Sequence, residues 1–282
     1  MPVVMVSSLT AAGSSLTLEA LEIGALDAIV KRQPGDDAGL RAYIEEIQSK
    51  LINAGRANVS GHYPPAHLSL PRAKLTSWRQ KVIQAPAASA TVHRVLVIGA
   101  STGGPQALRS VLASLKPEGV SVIVAQHISE QFVSSLAERL DDASAFDVAV
   151  ANHGDALLPG RALIAPGDQN LHVVRAGGEL YCHLEAPLPG QVHTPSVDHL
   201  FESAARVAGA SAVGLVLTGM GQDGAQGLQQ LHRKGALTLV QDEASSAVWG
   251  MPGAAVQLGA ADGDVPLQVI AESLNRLLYK SE

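Results

Sequence analysis

Cysteine is nearly absent from this chain. The single Cys182 among 282 residues excludes an intramolecular disulfide and fits a reducing, cytoplasmic compartment. Aromatic residues make up only 3% of the sequence, so there is little ring surface for stacking on bases. No uninterrupted apolar run approaches the roughly 18 residues of a membrane span. The first residues lack a basic leader, so neither membrane insertion nor a signal peptide is expected. Acidic residues are missing altogether from residues 47–117, which hold nine Lys and Arg. Residues 118–282 carry 8 Lys and Arg against 19 Asp and Glu. A body so acidic argues against a nucleic-acid substrate. The basic stretch reads as a solvated linker, with docking to an acidic partner as the other use of such charge.

What is present is an apolar, glycine-rich chain. It is 46% hydrophobic, with 27 Gly, and its length suggests about two domains. Residues 1–55 read as strand, helix, strand, helix: Pro2–Val6, Thr17–Ile23, Ala28–Val30 and Leu40–Ile52. Residues 56–92 read as a linker broken by Pro64, Pro65, Pro71 and Pro86, with a short amphipathic helix expected around Trp78. From residue 93 to 282 the pattern becomes alternating strands and helices. Val95–Ile98, Val120–Ala125, Ala162–Ala165, Ala212–Leu217 and Leu237–Val240 are β-rich runs, most followed by a Gly-marked turn. Such alternation predicts an α/β fold, a doubly wound and mostly parallel sheet with helices on both faces. Ligands of these folds sit outside the carboxyl ends of the strands.

Three strand ends carry reactive side chains. Val95-Leu96-Val97-Ile98-Gly99-Ala100 leads into Ser101-Thr102-Gly103-Gly104-Pro105 and then a helical pattern from Ala107. The run Val122–Gln126 ends at His127, and Val213–Leu217 leads through a Gly-rich turn to Asp223. A serine hydroxyl is too weak an acid to attack unaided and needs an imidazole to take its proton. A carboxylate on the other ring nitrogen fixes the tautomer and stabilises the imidazolium. Backbone N–H groups at a glycine-rich turn can hold the oxyanion. Each residue also has a plainer use. Ser101 suits a helix cap, His127 a strand end and Asp223 a turn. Asp242, which follows another strand, rivals Asp223, and spacing does not separate the two. Asp198 reads as the first turn of a helix. Gly99-Ala100-Ser101-Thr102-Gly103 matches the G-x-S-x-G elbow, but the order Ser, His, Asp is not that of the α/β-hydrolases. The same turn read as a phosphate cradle makes a nucleotide-binding module one alternative, although the turn is neither G-x-G-x-x-G nor a P-loop; a non-catalytic regulatory protein that keeps the fold is the other.

The motifs Ile98–Pro105, Gln126-His127, Thr218-Gly219-Met220-Gly221-Gln222-Asp223-Gly224-Ala225, Gln241-Asp242-Glu243-Ala244 and Gly250-Met251-Pro252 closely resemble the chemotaxis protein-glutamate methylesterases of the CheB type. The resemblance runs from about Val92 to the C-terminus. It implies a Ser101, His127 and Asp223 triad, with Thr102, Gly103 and Met220 beside it and the Met220 turn supplying an oxyanion N–H. It further implies hydrolysis of glutamate methyl esters and deamidation of glutamines on methyl-accepting chemoreceptors, with no cofactor and no metal. Thr194 departs from the basic residue often found before Pro-Ser-Val-Asp in that family, which bears on how the substrate is positioned.

The first 55 residues resemble the second half of a response-regulator receiver, with Ser7 and Lys31 at the ends of its fourth and fifth strands and Arg32 in place of the usual Pro. The first three receiver strands, and the phosphate-accepting Asp, are not in these residues. A truncated receiver is therefore expected, one that a sensor histidine kinase could switch only if the full domain exists. The resemblance implies that an unphosphorylated receiver covers the catalytic site. Half a receiver should cover it less well, leaving a constitutively active or poorly soluble chain.

Overall fold

The structure, a computed structural model, describes residues 1–7, 11–31, 36–57 and 94–278. Most of the expected linker, with the helix around Trp78, lies outside these residues, as does Arg32. The chain begins with β1 (Val4–Ser7), α1 (Ala11–Glu22), β2 (Asp27–Val30) and α2 (Asp37–Arg56). β1 and β2 pair in parallel, and the Lys31 N–H donates to the Ser7 carbonyl at 2.7 Å. Ser7 and Lys31 therefore stand side by side at the carboxyl end of this two-stranded sheet.

The remainder is built on seven strands: β3 (Arg94–Ala100), β4 (Val120–Gln126), β5 (Asp147–Val150), β6 (Arg161–Ile164), β9 (Ala212–Val216), β10 (Leu237–Gln241) and β11 (Gly263–Val265). They form one sheet in the order β11-β10-β9-β3-β4-β6-β5, and every pairing is parallel. Alternate side chains of a strand point to opposite faces, so a run apolar at every position needs cover on both sides. Leu96 and Ile98 of β3 pack on one face with Leu108, Val111 and Leu112 of α3 (Gly104–Leu112), and with Phe132, Val133 and Leu136 of α4 (Glu130–Ala143). Val95 and Val97 pack on the other face with Leu200 and Phe201 of α5 (Val197–Val207), Leu228 and Leu231 of α6 (Ala225–Arg233), and Ala255 of α7 (Gly250–Gln257). The last helix, α8 (Leu267–Leu278), adds Ile270 and Leu274 to the first face.

The five strands expected from sequence in this region are present with ends shifted by a residue or two. β5, β11 and the antiparallel hairpin of β7 (Asn170–Ala176) and β8 (Glu179–Glu185) lie outside those expectations. The hairpin alternates buried Leu171 and Val173 with polar His172 and Arg175, and turns through Gly177 and Gly178, both at positive φ. The N-terminal elements share the first core: Leu18, Leu21, Ala25, Ala28 and Val30 are buried against it.

Candidate active site

β3 lies between β9 and β4, and the chain leaves β3 for β4 on one side before returning to β9 on the other. The order reverses there, and such a reversal opens a crevice at the carboxyl ends of the strands. Ser101 directly follows β3, His127 directly follows β4, and Asp223 lies in the turn after β9. Two backbone bonds tie the three ends together. The His127 N–H donates to the Ala100 carbonyl at 2.9 Å, and the Ser101 N–H donates to the Thr218 carbonyl at 3.0 Å. Gly219 is the residue this approach requires, because a Cβ there would lie 2.8 Å from the Ser101 Cβ and overlap the Met251 sulfur.

Asp223 Oδ2 lies 2.8 Å from His127 Nε2. The same carboxylate caps the start of α5. It accepts from the Val197 N–H at 2.8 Å, the Asp198 N–H at 2.9 Å and the Ser196 hydroxyl at 3.2 Å. Burial pushes the Asp223 carboxyl up, but the His127 bond and charge and the two α5 N–H groups outweigh it and bring the group to about 2. Asp223 is thus a carboxylate at neutral pH. With Nε2 held by Asp223, the other ring nitrogen of His127 is left for a second partner. Ser101 and His127 line one cavity, with no hydrogen bond between their side chains.

The other candidates fall into place around this pair. Asp242 turns its carboxylate to the Ser245 N–H at 3.0 Å and to the Ser245 hydroxyl, inside its own turn. Asp198 is in the first turn of α5, as its sequence context suggests, and accepts from the Gly227 N–H at 2.7 Å. Ser101 is not a helix cap, since α3 starts at Gly104 behind Gly103.

Thr102, Gly103 and Met220 meet the N-terminal segment. The Thr102 hydroxyl donates to Asp27 Oδ2 at 2.7 Å, and the Gly103 N–H donates to the Leu26 carbonyl at 3.1 Å. Ser49 of α2 touches the Met220 sulfur at 3.7 Å. Lys50 of α2 bonds Asp27 at 2.8 Å and lines the cavity beside Ser101. The elements that carry Leu26, Asp27 and Ser49 are the ones lying against the site.

Two further residues at the site were given no role there from sequence. His193 stacks on the His127 ring, with centroids 4.7 Å apart and planes at 14°. Burial and the neighbouring His127 lower its pKa, against the opposing charge of Asp223. Its signal was its place just before Thr194-Pro195-Ser196, the entry to α5. Gln126, buried at the end of β4, bonds the backbone on both sides of the crevice. A polar side chain closing an otherwise apolar strand was its signal. His172 approaches His183 and His199 near the hairpin, with ring centroids 6.2 and 5.7 Å away. Among the described residues no group of three or more His, Cys, Asp or Glu is arranged to hold a metal ion, and no helix is long and apolar enough to cross a membrane.

Residues 96–274 match the family model described as CheB methylesterase. A protein-glutamate methylesterase/protein-glutamine glutaminase of Xanthomonas oryzae pv. oryzae is 46% identical over 273 residues, which is 97% of this chain and 75% of that protein. A protein of the same name from Bordetella avium is 46% identical over 275 residues, again 97% of this chain and 75% of that protein. The crystal structure of the Thermotoga maritima CheB methylesterase catalytic domain superposes with a TM-score of 0.63 at 33% identity. It covers 65% of this chain and 98% of its own.

Proposed function

The chain belongs to the CheB methylesterase family, and on that premise we propose that it hydrolyses glutamate γ-methyl esters on chemoreceptors, releasing methanol, and deamidates receptor glutamines to glutamates. The observation that carries the chemistry is the ionised Asp223 held 2.8 Å from Nε2 of His127, the ring that lines one cavity with Ser101.

The Ser101 hydroxyl attacks the ester carbonyl while the free nitrogen of His127 takes its proton. Asp223 holds the ring and balances the imidazolium. The oxyanion forms against the Met220 turn, whose backbone N–H is the proposed donor, because the Ser101 N–H is already committed to Thr218. His127 returns its proton to the departing methoxide, and methanol leaves an acyl-serine. Water attacks that ester, giving its proton to His127. Collapse frees the glutamate carboxylate, and His127 reprotonates Ser101. With glutamine as substrate, ammonia departs in place of methanol. Every step uses side chains of this chain. The phosphate-cradle reading has no comparable support, since the comparisons point to the esterase family.

Its substrates are the cytoplasmic signalling regions of methyl-accepting receptors, and the reaction belongs to chemosensory adaptation. The resemblance of residues 1–55 to a receiver suggests control by a sensor histidine kinase, which would act only through a receiver that includes its phosphate-accepting Asp.

The test is methanol release from methylated receptor membranes, this chain against Ser101→Ala. Turnover should fall by about 10³-fold or more. Equal release from the two proteins would remove Ser101 from the mechanism.

A further inference from the structure

The nucleophile and the base reside on separate loops, and their side chains do not bond one another. Something else must set the distance between them. Gln126 closes β4 opposite Ala100 of β3 and is 1% exposed. Its amide nitrogen donates to the Ser101 carbonyl at 3.0 Å and to the His127 carbonyl at 3.1 Å. One planar NH2 group thus spans the two turns, with its two hydrogens fixed about 120° apart by the amide geometry. Together with the bond from the His127 N–H to the Ala100 carbonyl, it closes a small rigid frame around the crevice.

The rest of the side chain is not explained by packing. Its oxygen Oε1 is buried without a hydrogen-bond partner. A stranded acceptor weakens a fold, and an apolar side chain of the same length would avoid the penalty. The neighbouring residue has yielded space as well: a Cβ at position 104 would overlap Oε1 and lie 2.8 Å from the Gln126 Cδ, so Gly104 is what lets the amide in. The amide thus carries a stranded acceptor alongside the two bonds that bear on the crevice geometry.

We propose that Gln126 is a positioning residue, whose amide sets the separation and orientation of Ser101 and His127 for acyl transfer. The inference rests on the Ser101 and His127 reading of the reaction. Gln126 itself touches no reacting atom. Loss of its two bonds lets the Ser101 and His127 turns drift, and a misplacement of about 1 Å in such a site costs on the order of 10²-fold in rate. Binding of the receptor helix uses other surfaces and should change little.

The experiment compares this chain with Gln126→Met, which keeps the length and removes both donors, and Gln126→Glu, which keeps the shape and replaces the amide nitrogen by oxygen. Ser101→Ala is run alongside. The readouts are kcat and KM for methanol release from methylated receptor membranes, the rate of Ser101 labelling by a fluorophosphonate, and the melting temperature. The expected result is a kcat lower by about 10- to 100-fold, a KM within about twofold, and labelling slowed in step. Gln126→Met should melt close to the parent, since the bonds it loses and the unpaired oxygen it removes offset one another. An unchanged kcat in folded Gln126→Met, with Ser101→Ala inactive, overturns the positioning role and leaves the triad standing. So does a loss of rate that only tracks a lower melting temperature in both variants. If Ser101→Ala hydrolyses as fast as the parent, the triad reading fails and the role of Gln126 fails with it.

Discussion

His193 shows how one side chain outside the proposed triad can govern its chemistry. Its ring lies parallel to that of His127 at 4.7 Å, and both rings are close to Asp223. Burial and the His127 charge keep His193 neutral further into the acid range than an exposed histidine. Once protonated, it would place a second positive charge against the base. His193→Phe keeps a ring in the stack and removes that charge. Like charges disfavour one another's protonation, so the variant should retain a smaller share of its pH 7 rate at about pH 5 than the parent does. Overlapping pH–rate profiles for the two proteins would show that His193 only fills space. Ser101 and His127 were legible as candidates because each directly follows an apolar run at the end of a strand. His193 was not, since its partner is 66 positions away along the sequence and nothing local announces a stacked ring.

At the scale of elements, the start of α5 is the busiest junction. Its first N–H groups hold the Asp223 carboxylate, and its own Asp198 reaches the Gly227 N–H near the start of α6. Burial pushes the Asp198 carboxyl up to about 6, and the Asp223 and Glu202 charges add to it against the Gly227 and Gly224 N–H bonds. A carboxyl whose folded value lies above its ordinary value binds its proton better in the folded state. Its contribution to stability is therefore most favourable below about pH 4 and is lost as pH rises through about 6. Asp198→Asn keeps an acceptor for Gly227 and removes the charge. It should raise the melting temperature by about 2–4 °C at pH 7.5 and leave it unchanged near pH 4. A lower melting temperature at pH 7.5 would mean that the charge itself supports the helix start. Asp223 behaves in the opposite sense: its low value supports the fold above about pH 4, and that support goes as pH falls toward 2. The helix start was visible in Thr194-Pro195-Ser196-Val197-Asp198; that it would grip a carboxylate from the turn after β9 was not.

In the whole molecule, the described N-terminal residues touch the candidate site through Leu26, Asp27 and Ser49 and expose apolar side chains elsewhere. Leu26 and Asp27 occupy the Gly103 N–H and the Thr102 hydroxyl, while Val6, Leu16, Ile23, Leu51 and Ile52 face solvent. A protein of residues 93–282 should therefore release methanol faster than the full 282-residue chain and remain soluble at higher concentration. Equal or slower release from the shorter protein would show that the segment does not obstruct the site. Alternation of β-rich and helix-spaced segments was enough to predict a parallel α/β sheet, because both signals are local and each repeats several times. The Ser, His, Asp set was readable for the same reason. The choice between Asp223 and Asp242 was not, since each stands just past a strand and no spacing rule prefers one. Strand order separates them: β9 hydrogen-bonds directly to β3, whereas β10 lies one strand further out, roughly 4.8 Å more distant, and Asp223 reaches His127 while Asp242 turns to Ser245. Neighbourhood in a parallel sheet depends on long crossovers and the packing of both faces, and only the folded chain sets it.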